Sequence, residues 1–414
     1  MQTRKFLFLS TFALNAVIVL GAVCATAAMS GVSRAPSCGT PELERMAGQV
    51  IMVGFHGDDE NDEGVRAIRA QLHTGTIGGV VLFPENIASR TRVKNLIAFL
   101  RNARSTPRPF IAVDQEGGAV QRLNRWNGYQ WYSSAKHVGR NPSYAEPEAV
   151  ERFYGDMATA LADTGFNMNL GPVVDLDINP WNPVIGARGR SFGADPDTVT
   201  SHAASFIKAH RAVNVATVAK HFPGHGSSRT DSHKRLPDIS ATWREVELEP
   251  YRRLAKEGLL DAVMIGHLYH PRFSDLEKRP ASLSVKAAGA LRNKNWLAFD
   301  GVIVSDDLEM GAVEDKASRE ALAVMAIKAG SDVVVFSNID GGDPQLGVKL
   351  HSAVVKAVCD GTLSGTRIAQ SYDRVMRLKR RLKNKTLAET GTSDTRRSKA
   401  LPTARSTSTP YNPG

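Results

Sequence analysis

Short apolar, β-branched runs alternate with amphipathic stretches of helical period along the body of the chain, which is the pattern of a parallel sheet with crossover helices. Eight runs stand out: QVIMVGF from Gln49, IGGVVLF from Ile77, PFIAVD from Pro109, NMNLGPVVDL from Asn167, VATVAKHF from Val215, DAVMIGH from Asp261, GVIVSDD from Gly301 and SDVVVFS from Ser331. Between them lie helical patterns such as SRTRVKNLIAFLRNAR from Ser89, PEAVERFYGDMATALADTG from Pro147 and REALAVMAIKAG from Arg319. Eight units in series without a composition break predict an α/β fold, a single-domain (β/α)8 TIM barrel over residues 28–385. There is neither a repeat of fixed period nor a Gly-rich phosphate loop of Walker type.

The ends of the runs carry the chemistry. The third ends in Asp114, the fourth in Asp175, the fifth in Lys220-His221, the sixth in His267 and the seventh in Asp306-Asp307. One ionisable residue after a strand is commonly a helix cap or a loop ion pair. In a parallel barrel, however, all these positions reach the same rim, where catalytic groups gather.

The densest cluster runs from Lys220 to His233 as KHFPGHGSSRTDSH. Proline and two glycines force a loop that carries Asp231 and His233 two residues apart. Asp-x-His can set a carboxylate against one imidazole nitrogen, leaving the other free to give or take a proton. A polar loop held by its own hydrogen bonds would use the same residues. A metal site built on His221, His225, Asp231 and His233 is a further alternative, although their spacing matches none of the standard zinc patterns.

KHFPGHG followed by DSH resembles the signature of the β-N-acetylhexosaminidases of glycoside hydrolase family 3. VDQEGG with QR after it (Asp114 to Arg122), RSFG (Arg190 to Gly193) and VIVSDDLEMGA (Val302 to Ala312) agree with it in the family's order. The resemblance implies an exo-acting, retaining hydrolase that removes terminal β-linked N-acetylglucosamine from peptidoglycan fragments or chitin-type oligosaccharides. Asp306 matches the family's nucleophile, and Asp231 with His233 matches a loop dyad whose histidine is acid and then base. Asp114, Arg122, Arg190, Lys220 and His221 match residues that hold the sugar's hydroxyls and acetamido group, and His267 falls where a sugar contact is expected. Asp307 reads as a helix N-terminal charge or a support for its neighbours.

Two departures bear on these assignments. Ala119 stands where many relatives have Arg, and Ile185 to Gly189 precede RSFG as an expansion that leaves either Arg190 or Arg188 to face the sugar. The chain has no room after the eighth run for the second α/β domain of β-glucosidase-type members, so the acid/base is expected from the barrel's own DSH loop. Nothing requires a metal or organic cofactor. A sugar-binding protein without turnover and a metal-dependent hydrolase are the rival readings.

The N-terminus changes the setting. Arg4 and Lys5, an apolar stretch from Phe6 to about Val23 and Ala25-Thr26-Ala27 follow the order of a secretory signal peptide over residues 1–27, with an uncleaved membrane anchor as the alternative. Gly21-Ala22-Val23 is a poor lipobox for Cys24. A periplasmic or secreted chain would retain Cys38 and Cys359, paired or free. The net charge of +10 is partly local, in the basic stretch Arg374 to Lys385, read as a solvated helix end, and in the polar tail 386–414, read as disordered. No aromatic-interleaved basic patch argues for nucleic acid, and a monomer is the default expectation.

Overall fold

The eight apolar runs form eight parallel strands closed on themselves. A computed structural model describes residues 33–103 and 106–384, so the predicted signal peptide (1–27) and tail (386–414) lie outside the described residues. The strands are β1 Ile51–Val53, β2 Gly79–Leu82, β3 Phe110–Val113, β4 Gln115–Gly117, β5 Val120–Gln121, β6 Met168–Asn169, β7 Ala216–Phe222, β8 Ala262–Ile265, β9 Val302–Asp307 and β10 Val333–Phe336. Around the barrel the order is β1, β2, β3, β6, β7, β8, β9, β10, with β10 pairing back to β1. This is the (β/α)8 barrel the periodicity predicts.

The strands are apolar throughout because both faces are buried. Alternate residues point into the barrel, where Met52, Val81, Phe110, Ala112, Met168, Ala216, Val218, Ala262, Met264, Val302, Val304 and Val335 pack as one cluster. Their neighbours, such as Ile51, Val80, Ile111 and Val334, pack outward against the helices. The same two-residue period, carried one step past the core, brings Asp114, Lys220 and Asp306 to the inner face at the strands' C-terminal ends.

Two features depart from the run pattern. β4 and β5 form an antiparallel hairpin after β3, whose turn is made by Gly117 at φ 98° and Gly118 at φ 58°, left-handed conformations that suit glycine. The hairpin is too short to show a period. The fourth run is strand only at Met168–Asn169; Pro172 lacks a backbone donor, and the chain rejoins the ladder at Val173, opposite Lys220.

The last helix, Gly365–Asn384, is docked rather than merely solvated. Val375 and Leu378 join the barrel's interior cluster, Arg374 and Arg377 pair with Asp300, and Arg381 pairs with Asp261. Cys38 and Cys359 form a disulfide across 321 residues of sequence, tying the segment before the first helix to the end of helix Leu346–Cys359. Among the described residues, no helix is long and apolar enough to cross a membrane.

Candidate active site

At the C-terminal rim a cavity of about 520 Å³ is lined by Asp114, Arg122, Arg190, Lys220, His221, Asp231, His233 and Asp306. Its floor is the top of the barrel core, including Val81, Leu170, Met264 and Val335. A polar wall above an apolar floor suits a sugar ring, which presents hydroxyls at its edge and C–H groups on its faces. A second cavity of about 320 Å³ has Arg101, Arg108 and Lys379 in its lining but no carboxylate or imidazole.

Asp306 is the penultimate residue of β9, and its Oδ1 accepts a hydrogen bond from the backbone N–H of Asp307 at 3.0 Å. Burial alone would push its carboxyl up, but the imidazoles of His267 and His221 and that N–H hold it below the usual range. Asp307, next in the strand, also borders the cavity but is engaged by the backbone. One of its oxygens accepts from the backbone of Ser337 and Glu309, and burial pushes its carboxyl up to about 6. It braces the end of the strand, the supporting part expected for it.

A four-membered charge network occupies the opposite wall. Lys220 Nζ lies 2.6 Å from Asp114 and 2.8 Å from Glu116, and Arg190 grips Glu116 with two hydrogen bonds of 2.8 Å. Burial would raise the Glu116 carboxyl, but the two cations hold it well below the carboxylate range. Arg122 stands 3.8 Å from Asp114. The two carboxylates offset two buried cations, so the wall presents charge-assisted hydrogen-bonding groups at modest net charge.

The Lys220–His221 peptide is cis, and both side chains line the cavity. His221 Nδ1 is 2.7 Å from Asp175, a fully buried carboxylate that also accepts from the backbone N–H groups of His221 and His225. Burial opposes the charge on Asp175, yet His221 and His225 hold its carboxyl below the usual value.

The loop that follows makes a second aspartate–histidine pair. Asp231 Oδ1 accepts from the backbone N–H of His233 at 3.0 Å and lies 2.8 Å from its Nδ1, leaving Nε2 without a hydrogen-bond partner among the described residues. Inside the loop, His225 Nε2 meets Ser232 Oγ at 3.1 Å, and burial pushes the His225 imidazole down to about 4. Gly226 is needed because a Cβ there would fall 1.7 Å from the carbonyl oxygen of Leu176.

The structure thus gathers eight of the nine predicted residues around one cavity. His267 is the exception. Its ring is fully buried, with Nδ1 at 2.6 Å from Ser282 Oγ and Nε2 at 2.7 Å from the Asp307 carbonyl, so it has no nitrogen left for a sugar. It fixes the end of β9 instead. The four candidate metal ligands are divided among Asp175, Ser232 and the Asp231–His233 pair, and no group of three or more His, Cys, Asp or Glu among the described residues could hold a metal ion. Glu116 and Asp175 were missed as site residues, although both stand in the segments that drew attention, one in VDQEGG and the other at the end of the fourth run.

A closed barrel whose rim cavity joins a buried aspartate to an aspartate–histidine pair fits a glycoside hydrolase. A model described as the glycosyl hydrolase family 3 N terminal domain matches residues 42–378, and the chain belongs to glycosyl hydrolase family 3. It is 37% identical over 277 residues to a beta-hexosaminidase of Pseudomonas aeruginosa, covering 65% of this chain and 78% of that protein. Among solved structures it resembles a family 3 beta-N-acetylglucosaminidase from Paenibacillus sp. (TM-score 0.74, 31% identity, 86% of this chain and 65% of that one). It also resembles a beta-N-acetylhexosaminidase from Beutenbergia cavernae (TM-score 0.72, 28% identity, 81% of this chain and 98% of that one).

Proposed function

We propose that the protein is an exo-acting, retaining β-N-acetylhexosaminidase that removes terminal β-linked N-acetylglucosamine from peptidoglycan fragments or chitin-type oligosaccharides. The observation that carries this reading is an ionised, buried Asp306 sharing one cavity with an exposed Asp231–His233 pair. The names of the relatives support the choice of sugar. The signal-like N-terminus and the disulfide support action in the periplasm or outside the cell.

In the first step an Asp306 oxygen forms a bond to the anomeric carbon as the glycosidic C–O bond breaks. His233, oriented through Nδ1 by Asp231, gives its Nε2 proton to the departing oxygen. In the second step water loses a proton to the same Nε2 and attacks the anomeric carbon, and the Asp306 ester bond breaks. Two inversions give net retention. Asp114, Lys220, Arg190 and His221 form the wall that holds the terminal sugar. No step calls for a metal or organic cofactor.

The test is release of nitrophenol from a β-N-acetylglucosaminide, followed by peptide mapping after a fluorosugar inactivator. The expected label lies on Asp306, and Asp306→Ala should lose at least about a thousandfold on every substrate. A label on a peptide lacking Asp306 would reject the mechanism.

A further inference from the structure

The end of the barrel opposite the catalytic rim holds the second cavity, whose volume of about 320 Å³ lies at the small end of the roughly 300–1,000 Å³ usual for ligand sites. Phe110, the first residue of β3, lines it, as do Asn167 just before β6 and Asn214 just ahead of β7, three strands that are neighbours in the barrel. Phe166, Val213, Met376 and Leu382 add an apolar wall.

The charge around this cavity is of one sign. Arg101 is the last residue of helix Arg90–Arg101, where a cation suits the helix end, and its Nη1 lies 3.4 Å from the Gly165 carbonyl. Lys379 is buried, donates to Gln49 and to the Gly78 carbonyl at 2.7 Å each, and stands over the Phe110 ring. Local packing accounts for those two cations but not for Arg108, which shares the lining with them. Burial and the charge of Arg108 together push the Arg101 guanidinium down from its usual value, so the two arginines are near enough to repel. Neither forms an ion pair among the described residues, and no carboxylate lines the cavity.

The rest of the same end is built differently. Asp261, Asp300 and Asp332 stand one or two residues before β8, β9 and β10, and they meet Arg211, Arg374 and Arg292. The residues immediately before β3, β6 and β7 are Pro109, Asn167 and Val215, all neutral. A guanidinium cannot shed its proton to escape repulsion, and a half-buried cation without a counter-charge is unfavourable. The arginines beside those three strands therefore lack the anion that the chain supplies to the other three.

We infer that this cavity binds a single-chain anionic amphiphile, its carboxylate or phosphate head between Arg101 and Arg108 and its apolar chain along Phe166, Val213, Met376 and Leu382. The volume has room for one chain, and a concave apolar wall suits a separate molecule better than the flat surface of a membrane.

Calorimetric titration with decanoate, decyl phosphate, decanol, acetate and inorganic phosphate tests each part of the ligand. Decanoate or decyl phosphate should bind one per chain, at least about tenfold tighter than the uncharged alcohol or the chainless anions, and the tighter of the two identifies the head group. Either should also raise the thermal midpoint. Arg101→Gln and Arg108→Gln should each weaken binding at least about tenfold, the scale of a hydrogen bond to a charged group, whereas Arg108→Lys should keep most of the affinity. Arg108 is exposed, so its variants remain informative if Arg101→Gln fails to fold. Equal affinity for decanol and decanoate, or an Arg108→Gln variant that binds as the wild type does, would overturn the site. Adsorption to phosphatidylglycerol vesicles by a protein that ignores both decyl anions would overturn it as well.

Discussion

The molecule contains two aspartate–histidine pairs on the same cavity, and their surroundings are opposite. In Asp175–His221 the carboxylate is fully buried and accepts three hydrogen bonds, and the imidazole is tucked under the end of β7. In Asp231–His233 the histidine side chain is 63% exposed and the pair rides on a loop. A group that holds a sugar gains from rigidity and a dry setting, because its geometry is then fixed in advance. A group that must deliver a proton, and then collect one from water, has to be reachable by water. The same two residue types are thus set apart by packing alone.

His233→Ala breaks the exposed pair and should show the largest effect. A nitrophenolate scarcely needs a proton on leaving, whereas a sugar alkoxide does, so the loss on oligosaccharides should reach about 10²–10⁴-fold and be far smaller on nitrophenyl substrates. Azide, which needs no general base, should partly restore release of the glycosyl-enzyme and yield a β-glycosyl azide. Steady-state kinetics with both leaving groups decide the matter, and equal losses would take the acid/base role away from His233.

Stability should sort the pairs in the opposite order. Asp175→Ala leaves buried donors of His221 and His225 unanswered and should cost about 3 kcal/mol or more. Asp231→Ala removes a half-solvated pair and should cost about 1 kcal/mol or less. Urea midpoints of the two variants measure this directly. Similar midpoints would mean that burial does not separate the pairs.

The smallest effect sharpens the contrast from beneath. Glu247 is buried against Gly224, at the root of the loop that bears the exposed pair, and burial pushes its carboxyl up to about 8. An acid whose folded value lies above its unfolded value of about 4.3 binds its proton more tightly when folded, so stability falls as pH rises from there to about 8 and then levels off. Glu247→Gln should remove that slope, gaining about 1–3 kcal/mol over the wild type at pH 9 and little near pH 4. A wild type equally stable at both ends would show that Glu247 is not protonated in the folded state.

Much of this was legible in the chain. Runs of apolar residues buried on both faces, spaced by helical stretches, lead to eight parallel strands, and the two-residue period continued beyond them places Asp114, Lys220 and Asp306 on one inner rim. The motif KHFPGHG with DSH marks the loop that carries the exposed pair. The sequence also narrowed the disulfide to Cys38 and Cys359, without deciding whether it forms.

What the linear order cannot express is which of several similar groups is already satisfied by another. Arg188 and Arg190 are the same residue type two positions apart, yet only one meets Glu116, contributed by a hairpin 74 residues away. His267 follows its strand to the same rim that Asp306 reaches, but Ser282 and the Asp307 carbonyl consume both of its nitrogens. Asp175 becomes the anchor of His221 because the chain breaks at Pro172 and rejoins beside β7. Sequence determined which groups reach the rim, since strand period and parallel order act along the chain. Tertiary structure alone decided which remain free to act, because hydrogen-bond partners and solvent access are set by segments distant in sequence.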